Sequence, residues 1–472
     1  MRLERTYDQL RHEDMCMVEG VIIGLEIHAQ LRTDAKLFCE CSAKYRDIEP
    51  NTNLCPTCTS QPGGKPMSIN GRALENLEKL AIALGAKFEP SFYFMRKHYF
   101  YPDLPSNYQR TSTPIASNGM LRNVRIRELH MEEDPGRYEL RNGEVDLNRS
   151  GVPLVEIVTD PDMRSPEEAR LFLQELQAIN DYIDSVREEP GSMKIDANVS
   201  LAGGNRVEIK NINSFKGVVS ALTYEITRQA NLLRNQKTVA METRHYSEKQ
   251  GITMSLRKKE TSEDYRYVPD PDMLGYDVDG QEVEKLRKGM PELPAMKVKR
   301  FVAKFGIKEE DAEVIAGERA LADFFEGYAN AKKFDCVKLA QWLRGGLKKQ
   351  LNYRNLAFVE SKIDRKNVEL LLEKYFSGKL TDRTMEQILI AMLDGKFERS
   401  MLEQEKISDT GYLEEIADRV IGQEAKAAGD YRKGEEKAIN FLAGKVMKES
   451  RGRGDIRVVL EILKKKLGMG TD

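Results

Sequence analysis

From Val21 the chain reads VIIGLEIHAQL, in which Leu25, Ile27 and Leu31 alternate with Glu26, His28 and Gln30. A period of two predicts a β-strand with one apolar face and one face carrying a carboxylate, an imidazole and an amide. A second run, VPLVEIV, is short, β-branched and apolar on both faces, which predicts a buried strand, yet Glu156 stands inside it. An unpaired carboxylate there would cost on the order of several kcal/mol. A third run, VRIRELHMEEDPG, carries a strand into Glu132, Glu133 and Asp134 before Pro135-Gly136 turns the chain. Periodicity does not choose between Glu132 and Glu133. Strand-borne carboxylates with one histidine suggest a divalent cation site, because oxygen ligands and an imidazole suit Mg or Mn. Solvated strand ends and a hydrogen-bonded histidine are the alternative.

Helical periodicity is clearest after Ser165-Pro166-Glu167-Glu168, which supplies an N-cap, a proline at the first helical position and the glutamate of a capping box. Ala169, Phe172, Leu173, Leu176, Ile179 and Ile183 form its apolar stripe. Another helix is predicted from Asn70 to Leu84, with Leu74, Leu77, Leu80, Ala81 and Leu84 inward. The strand-like runs SMKIDANVSL and NRVEIKNIN set Asp196, Glu208 and Lys210 among apolar neighbours, where they either join the acidic site or lie on the wet face of an antiparallel sheet.

After PELPAMK, Gly, Pro and β-branched residues give way to Leu, Ala, Lys and Glu at helical spacing. The predicted organisation is an N-terminal extension (1–20), an α+β domain (21–294), a helical domain (295–407) and a helical tail (408–472). A chain of 472 residues is long enough for roughly three domains.

Composition narrows the function. With 74 basic and 76 acidic residues the net charge is −2, so a polyanionic partner must meet a local patch. Tyr431–Asp472 holds eleven Lys or Arg against six acids, and GKVMKESRGRGD places Lys445, Lys448, Arg451 and Arg453 around a glycine-rich turn suited to phosphates. A solvated cationic helix face is the alternative. No run approaches the ~18 apolar residues of a membrane span, and the opening MRLERTYDQLRHEDMCM lacks a signal-peptide core, so a cytoplasmic protein is expected.

Four of the six cysteines, Cys39, Cys41, Cys55 and Cys58, fall in CECSAKYRDIEPNTNLCPTC. A C-x-C and a C-x2-C pair clamp two sides of a tetrahedral ion, and four thiolates leave no open position for catalytic water, so structural zinc is expected. Redox thiols or an iron–sulfur cluster are the alternatives.

Taken together, GLEIHAQL, KHYFYPDLPSNYQ, HMEEDPGR, DLNRSGVPLVEIVTDPD, SPEEA, DANVSL, EIKNINSF and DYRYVPDPD, in this order, make the chain resemble the B-subunit family of aspartyl/glutamyl-tRNA(Asn/Gln) amidotransferases. The resemblance covers nearly everything after Gly20. It implies a glutamine-synthetase-like antiparallel-sheet cradle, an all-α domain and a small helical tail that approaches tRNA.

It also implies an activity. The side-chain carboxylate of mischarged Asp-tRNA(Asn) or Glu-tRNA(Gln) would be phosphorylated with ATP and Mg2+, then amidated by ammonia from a partner glutaminase A subunit, while a small C subunit holds the heterotrimer together. The family's metal ligands correspond here to His28, Glu133 and Glu156, with Glu26 close by, so the resemblance selects Glu133 over Glu132. Asp196, Glu208 and Asn211 match family motifs and are candidates for a second metal or phosphate contact. Lys210, Arg257 and Arg266 are candidate ATP-phosphate clamps, with salt bridges as their alternative.

The chain carries no G-x-x-x-x-G-K-[ST] and no amidase-type serine run, so ATP is expected to bind without a P-loop and ammonia to come from a partner. It departs from the family pattern in its first twenty residues, in Pro135 and Arg137 where Ala and Lys are commoner, and in a cysteine quartet that many members lack. A small-molecule carboxylate-amine ligase and a non-catalytic, zinc-stabilised tRNA-binding subunit are the competing readings.

Overall fold

The computed structural model describes residues 20–139, 141–258, 265–403, 406–407, 410–450 and 452–468. Nearly all of the N-terminal extension, with Cys16, lies outside the described residues, as does Arg451. The chain divides into two compact units, Met1–Leu293 and Pro294–Asp472.

The first unit contains strands β1 (Ile22–Gln30), β2 (Lys87–Phe88), β3 (Ser91–Phe92), β4 (Phe94–His98), β5 (Tyr108–Ser112), β6 (Ala116–Leu121), β7 (Val124–Glu133) and β8 (Arg137–Glu139). They are followed by β9 (Glu144–Asp146), β10 (Pro153–Thr159), β11 (Met193–Ser200), β12 (Val207–Ile212), β13 (Glu242–Ser247), β14 (Ile252–Lys258), β15 (Val268–Pro269) and β16 (Tyr276–Asp277). Twelve of them form one sheet in the order β14-β13-β12-β11-β1-β10-β7-β5-β4-β15, with β2 and β6 attached through β7. Every pair in it is antiparallel except β12–β13.

The predicted alternation in β1 is realised. Ile23, Leu25, Ile27 and Ala29 are buried in the main core with Val155 and Ile157 of β10, Leu129 and Met131 of β7, and Ile195, Ala197 and Val199 of β11. Three helices supply the other half of that core: Gly71–Ala83 through Leu77, Leu80 and Ala81, Pro166–Ile183 through Phe172, Leu173, Leu176 and Ile179, and Phe215–Arg234 through Val218, Ala221, Leu222 and Ile226. Each fully buried Leu, Ile or Phe contributes about 1.5–3 kcal/mol, so this face dominates the stability of the unit.

Side-chain caps begin these helices. Asn70 caps Gly71–Ala83, accepting from the amides of Arg72 and Ala73. Ser165 accepts from the Glu168 amide at 3.1 Å, but the Glu168 carboxylate reaches back one residue further than a capping box, to the Arg164 amide at 2.8 Å.

One irregularity matters for the site. Between β7 and β10 the register steps from Glu128↔Val158 to Ile126↔Thr159, leaving Arg127 as an extra residue. A bulge reverses which side chains face the core: Val124 and Ile126 are buried before it, Leu129 and Met131 after it.

The described residues of the second unit are mainly helical, from Pro294–Phe305 to Ile456–Leu467. Helices Thr410–Gln423, Ala425–Arg432, Lys437–Glu449 and Ile456–Leu467 share a separate apolar cluster built on Leu413, Ile416, Leu442, Val446, Val459 and Leu463. The glycine-rich turn before the last helix is not an open loop. The Gly452 carbonyl accepts from the Thr381 hydroxyl at 2.7 Å, the Arg453 carbonyl accepts from the Ile407 amide at 2.9 Å, and Lys406 pairs with Asp455. No helix among the described residues is long and apolar enough to cross a membrane.

Candidate active site

Antiparallel register brings the charged residues together on the face of the sheet opposite the helices. His28 lies directly across from Glu156, and Glu132 of β7 lies across from Leu154, two residues from Glu156 on the same face. His28 Nε2 is 3.7 Å from Glu156 Oε1 and 3.8 Å from Glu132 Oε2. One ligand atom from each of the three side chains falls within 4.8 Å of the others. The cluster is sheltered, with Glu132 2%, Glu156 16% and His28 22% exposed.

Glu133, the residue selected by the family pattern, is not in this group. As the next residue on the strand it points to the other face, where its carboxylate meets Arg110 Nη1 at 3.2 Å. Arg110 also binds Asp270 at 2.7 Å through Nε and lies over the Phe38 ring. Beyond the bulge at Arg127, odd-numbered side chains turn inward, so Glu132 rather than Glu133 faces His28.

The electrostatics suit a cation. Burial pushes the Glu132 carboxyl up, and the charge of Glu156 pushes it further. Burial opposes ionisation of Glu156 as well, but His28, Lys97, His130 and a hydrogen bond from Glu132 outweigh it and hold that carboxyl below its ordinary range. Two carboxylates held this close to each other and to an imidazole in a sheltered position favour a divalent cation between them. Ligand atoms around Mg2+ at about 2.1 Å stand about 3–4 Å apart, close to the separations present, so two carboxylates and an imidazole fit such an ion.

Two further cations border the cluster. Burial pulls the Lys97 ammonium down, but Glu132 and Glu156 more than offset it and keep it charged. His130 is raised to about 9, burial being outweighed by its bond to Glu128 at 3.2 Å and by the charge of Glu156.

A second polar group continues along the same face. Glu26 lies across from Asp196, accepts from Asn198 Nδ2 at 3.0 Å, and has its carboxyl raised by burial and then by Glu156, Glu208 and Asp196. Lys210 Nζ stands 3.1 Å from Asp196 and 3.8 Å from Glu208, and the Asn211 amide donates to Asp196 at 3.3 Å. Lys210 thus partly neutralises these acids, while Arg266 is not among their partners. Arg257 lies on β14 opposite Thr243, its side chain outside the described residues, and Arg266 is exposed, its carbonyl 3.0 Å from His98 Nδ1.

The four cysteines converge as their spacing predicted. Their sulfurs lie within 4.8 Å of one another, all unpaired by disulfides, with Cys55 and Cys58 3.9 Å apart. Tetrahedral Zn–S bonds of about 2.3 Å set sulfurs about 3.8 Å apart, so the quartet fits a metal ion. Buried Lys36 places Nζ 3.5 Å from the Cys58 sulfur and donates to the Asn53 carbonyl at 3.1 Å. The Cys58 thiol is lowered to about 4, first by a hydrogen bond from Cys39 and, against burial, by the Cys55 amide and Lys36.

In the tail, Lys445 pairs with Glu424 at 2.6 Å and lies over the Phe441 ring, Lys448 is exposed in the last turn of its helix, and Arg453 is half-buried. Periodicity left Glu132 and Glu133 open and the family pattern chose Glu133, while sequence reasoning did not single out Lys97 or His130 beside the site. The alternation of β7 was the signal that could have found Glu132 and His130, had the bulge been legible.

A polar, acid-rich sheet face backed by helices, a convergent cysteine quartet and a helical second unit define an α+β protein with two clusters suited to metal ions. The model of the GatB/GatE catalytic domain matches residues 21–284, and that of the GatB domain matches residues 323–467. The B subunit of aspartyl/glutamyl-tRNA(Asn/Gln) amidotransferase from Methanothermobacter thermautotrophicus is 46% identical over 449 residues, covering 94% of this chain and 99% of the relative. The proteins of the same name from Methanopyrus kandleri, 46% identical over 95% of this chain and 98% of the relative, and Methanobrevibacter smithii, 43% over 95% and 100%, agree with it. The chain belongs to this family of amidotransferase B subunits.

Proposed function

We propose that the chain activates the side-chain carboxylate of Asp-tRNA(Asn), Glu-tRNA(Gln) or both with ATP and then amidates it, in the cytoplasm, within a complex that also holds a glutaminase A subunit and a small C subunit. The observation that carries this reading is the convergence of His28, Glu132 and Glu156 on the polar sheet face of a chain from this family. The sheet would serve as a glutamine-synthetase-like cradle.

A carboxylate is a poor acyl donor, so its oxygen attacks the γ-phosphorus of ATP, ADP leaves, and the acyl phosphate accepts ammonia with loss of inorganic phosphate. His28, Glu132 and Glu156 would hold Mg2+, with Glu26 adjacent. When bound, the ion supplies neutralisation and alignment of the transferring phosphoryl group. Lys97 supplies fixed positive charge beside the same carboxylates. Asp196 and Glu208 are secondary candidates for metal contact, and Lys210 for phosphate contact, since its ammonium already faces anionic oxygens. Cys39, Cys41, Cys55 and Cys58 would hold structural zinc. Lys445, Lys448, Arg451 and Arg453 would meet the tRNA backbone.

Phosphate release from ATP by the assembled complex tests the reading. It should require the mischarged aminoacyl-tRNA and collapse in Glu156→Gln. Release that proceeds with free aspartate or glutamate would instead identify a small-molecule ligase, and no release at all a purely tRNA-binding protein.

A further inference from the structure

The KHYFYPDLPSNYQ segment has no assigned role above beyond the charge of Lys97, yet its last residue touches the ion cluster directly. Gln109 lies on β5 across from Lys97 of β4 and is 6% exposed. Its Nε2 donates to Oε2 of Glu132 at 3.0 Å and to the main-chain carbonyl of Glu133 at 2.8 Å. Its Oε1 accepts from the Tyr99 hydroxyl at 3.2 Å.

Both amide hydrogens are thus directed at acceptors and the amide oxygen at a donor, an arrangement that only one orientation of the side chain satisfies. The oxygen that Gln109 grips is also the one facing His28 Nε2 at 3.8 Å. The terminal torsion of a glutamate is otherwise broad, so a fixed donor on that oxygen selects the carboxylate orientation.

We propose that Gln109, steadied by Tyr99, is the positioning residue for Glu132: it holds the carboxylate in the orientation in which the three ligand atoms converge, and so sets the affinity for a divalent cation. The inference rests on the reading of His28, Glu132 and Glu156 as an ion site. Partners that orient metal ligands change metal affinity by about 10–100-fold when removed.

Mn2+ is the probe, with binding to the full-length chain in its complex followed by electron paramagnetic resonance. Gln109→Met keeps the volume and removes both donors. It should weaken Mn2+ binding by about 10–100-fold and raise the KM for Mg2+ in phosphate release to match, with kcat recovered at saturating Mg2+. Tyr99→Phe should give a smaller shift of the same kind, about two- to ten-fold, and carries the test alone if Gln109→Met fails to fold.

Unchanged Mn2+ affinity, or a loss of kcat that Mg2+ does not restore, overturns the proposal. Glu156→Gln measured in parallel separates the two levels of the argument. If it binds Mn2+ as well as the unaltered chain, the ion-site reading falls and the inference with it. If Glu156→Gln abolishes binding while Gln109→Met and Tyr99→Phe leave it untouched, only the role of Gln109 is overturned.

Discussion

Arg110 holds Glu133 in a 3.2 Å ion pair on one face of the sheet, while the preceding residue, Glu132, meets His28 on the other. The two glutamates should therefore fail differently. Glu132→Gln should abolish aminoacyl-tRNA-dependent phosphate release with little change in melting temperature. Glu133→Gln should leave Arg110 short of one charge partner and cost about 1–3 kcal/mol of stability, while the apparent affinity for Mg2+ changes little. The reverse pattern in phosphate release and thermal melts would restore Glu133 as the ligand.

The cysteine quartet should carry about one zinc per chain. Cys55→Ser should lose that metal and open the 39–65 segment to protease. Metal analysis by mass spectrometry with limited proteolysis reads both effects; full zinc content in the variant would refute the site.

Glu78, buried in helix Gly71–Ala83, is raised to about 7 by burial and then by the charges of Glu75, Glu282 and Asp279. A carboxyl that holds its proton more tightly when folded costs stability as pH rises from the unfolded value of 4.5 through the folded one, and the full penalty applies above it. Glu78→Gln should gain about 2–3 kcal/mol at pH 8 and much less at pH 5.5. Urea unfolding at both values checks this, and a gain independent of pH would contradict the assignment.

In the tail, Lys445→Gln with Lys448→Gln should weaken tRNA binding and lower the slope of log affinity against log salt by about 1 per lysine. Titrations at several salt concentrations measure it. Because Lys445 already pairs with Glu424, Lys448→Gln should have the larger effect of the two; an unchanged slope in the double variant would exclude this surface from the interface.

Much of this architecture was legible where a local rule acts alone. The alternation of β1 predicted its two faces, Ser165-Pro166 predicted a helix start, and the cysteine spacing predicted their convergence. The rest depended on relations between distant segments. The extra residue at Arg127 changes phase inside β7, and only pairing with β10 reveals it, so periodicity left Glu132 and Glu133 undecided and the family pattern selected the one that faces Arg110. Nothing local in the RGRG run shows that the Gly452 and Arg453 carbonyls are tied to Thr381 and Ile407. Lys97 and Gln109 carry no periodic signal and acquire meaning only from their neighbours across the sheet.

The strict division between the faces of β1 has an evolutionary consequence. Ile23, Leu25, Ile27 and Ala29 lie in the core, whereas Glu26 and His28 stand on the opposite, polar face with the proposed ion site, and the two sets interleave residue by residue without sharing a position. Adaptation to a hotter or colder habitat can proceed by exchange among the first set while the second stays untouched, so thermal tolerance and substrate turnover can drift as separate traits along a single strand.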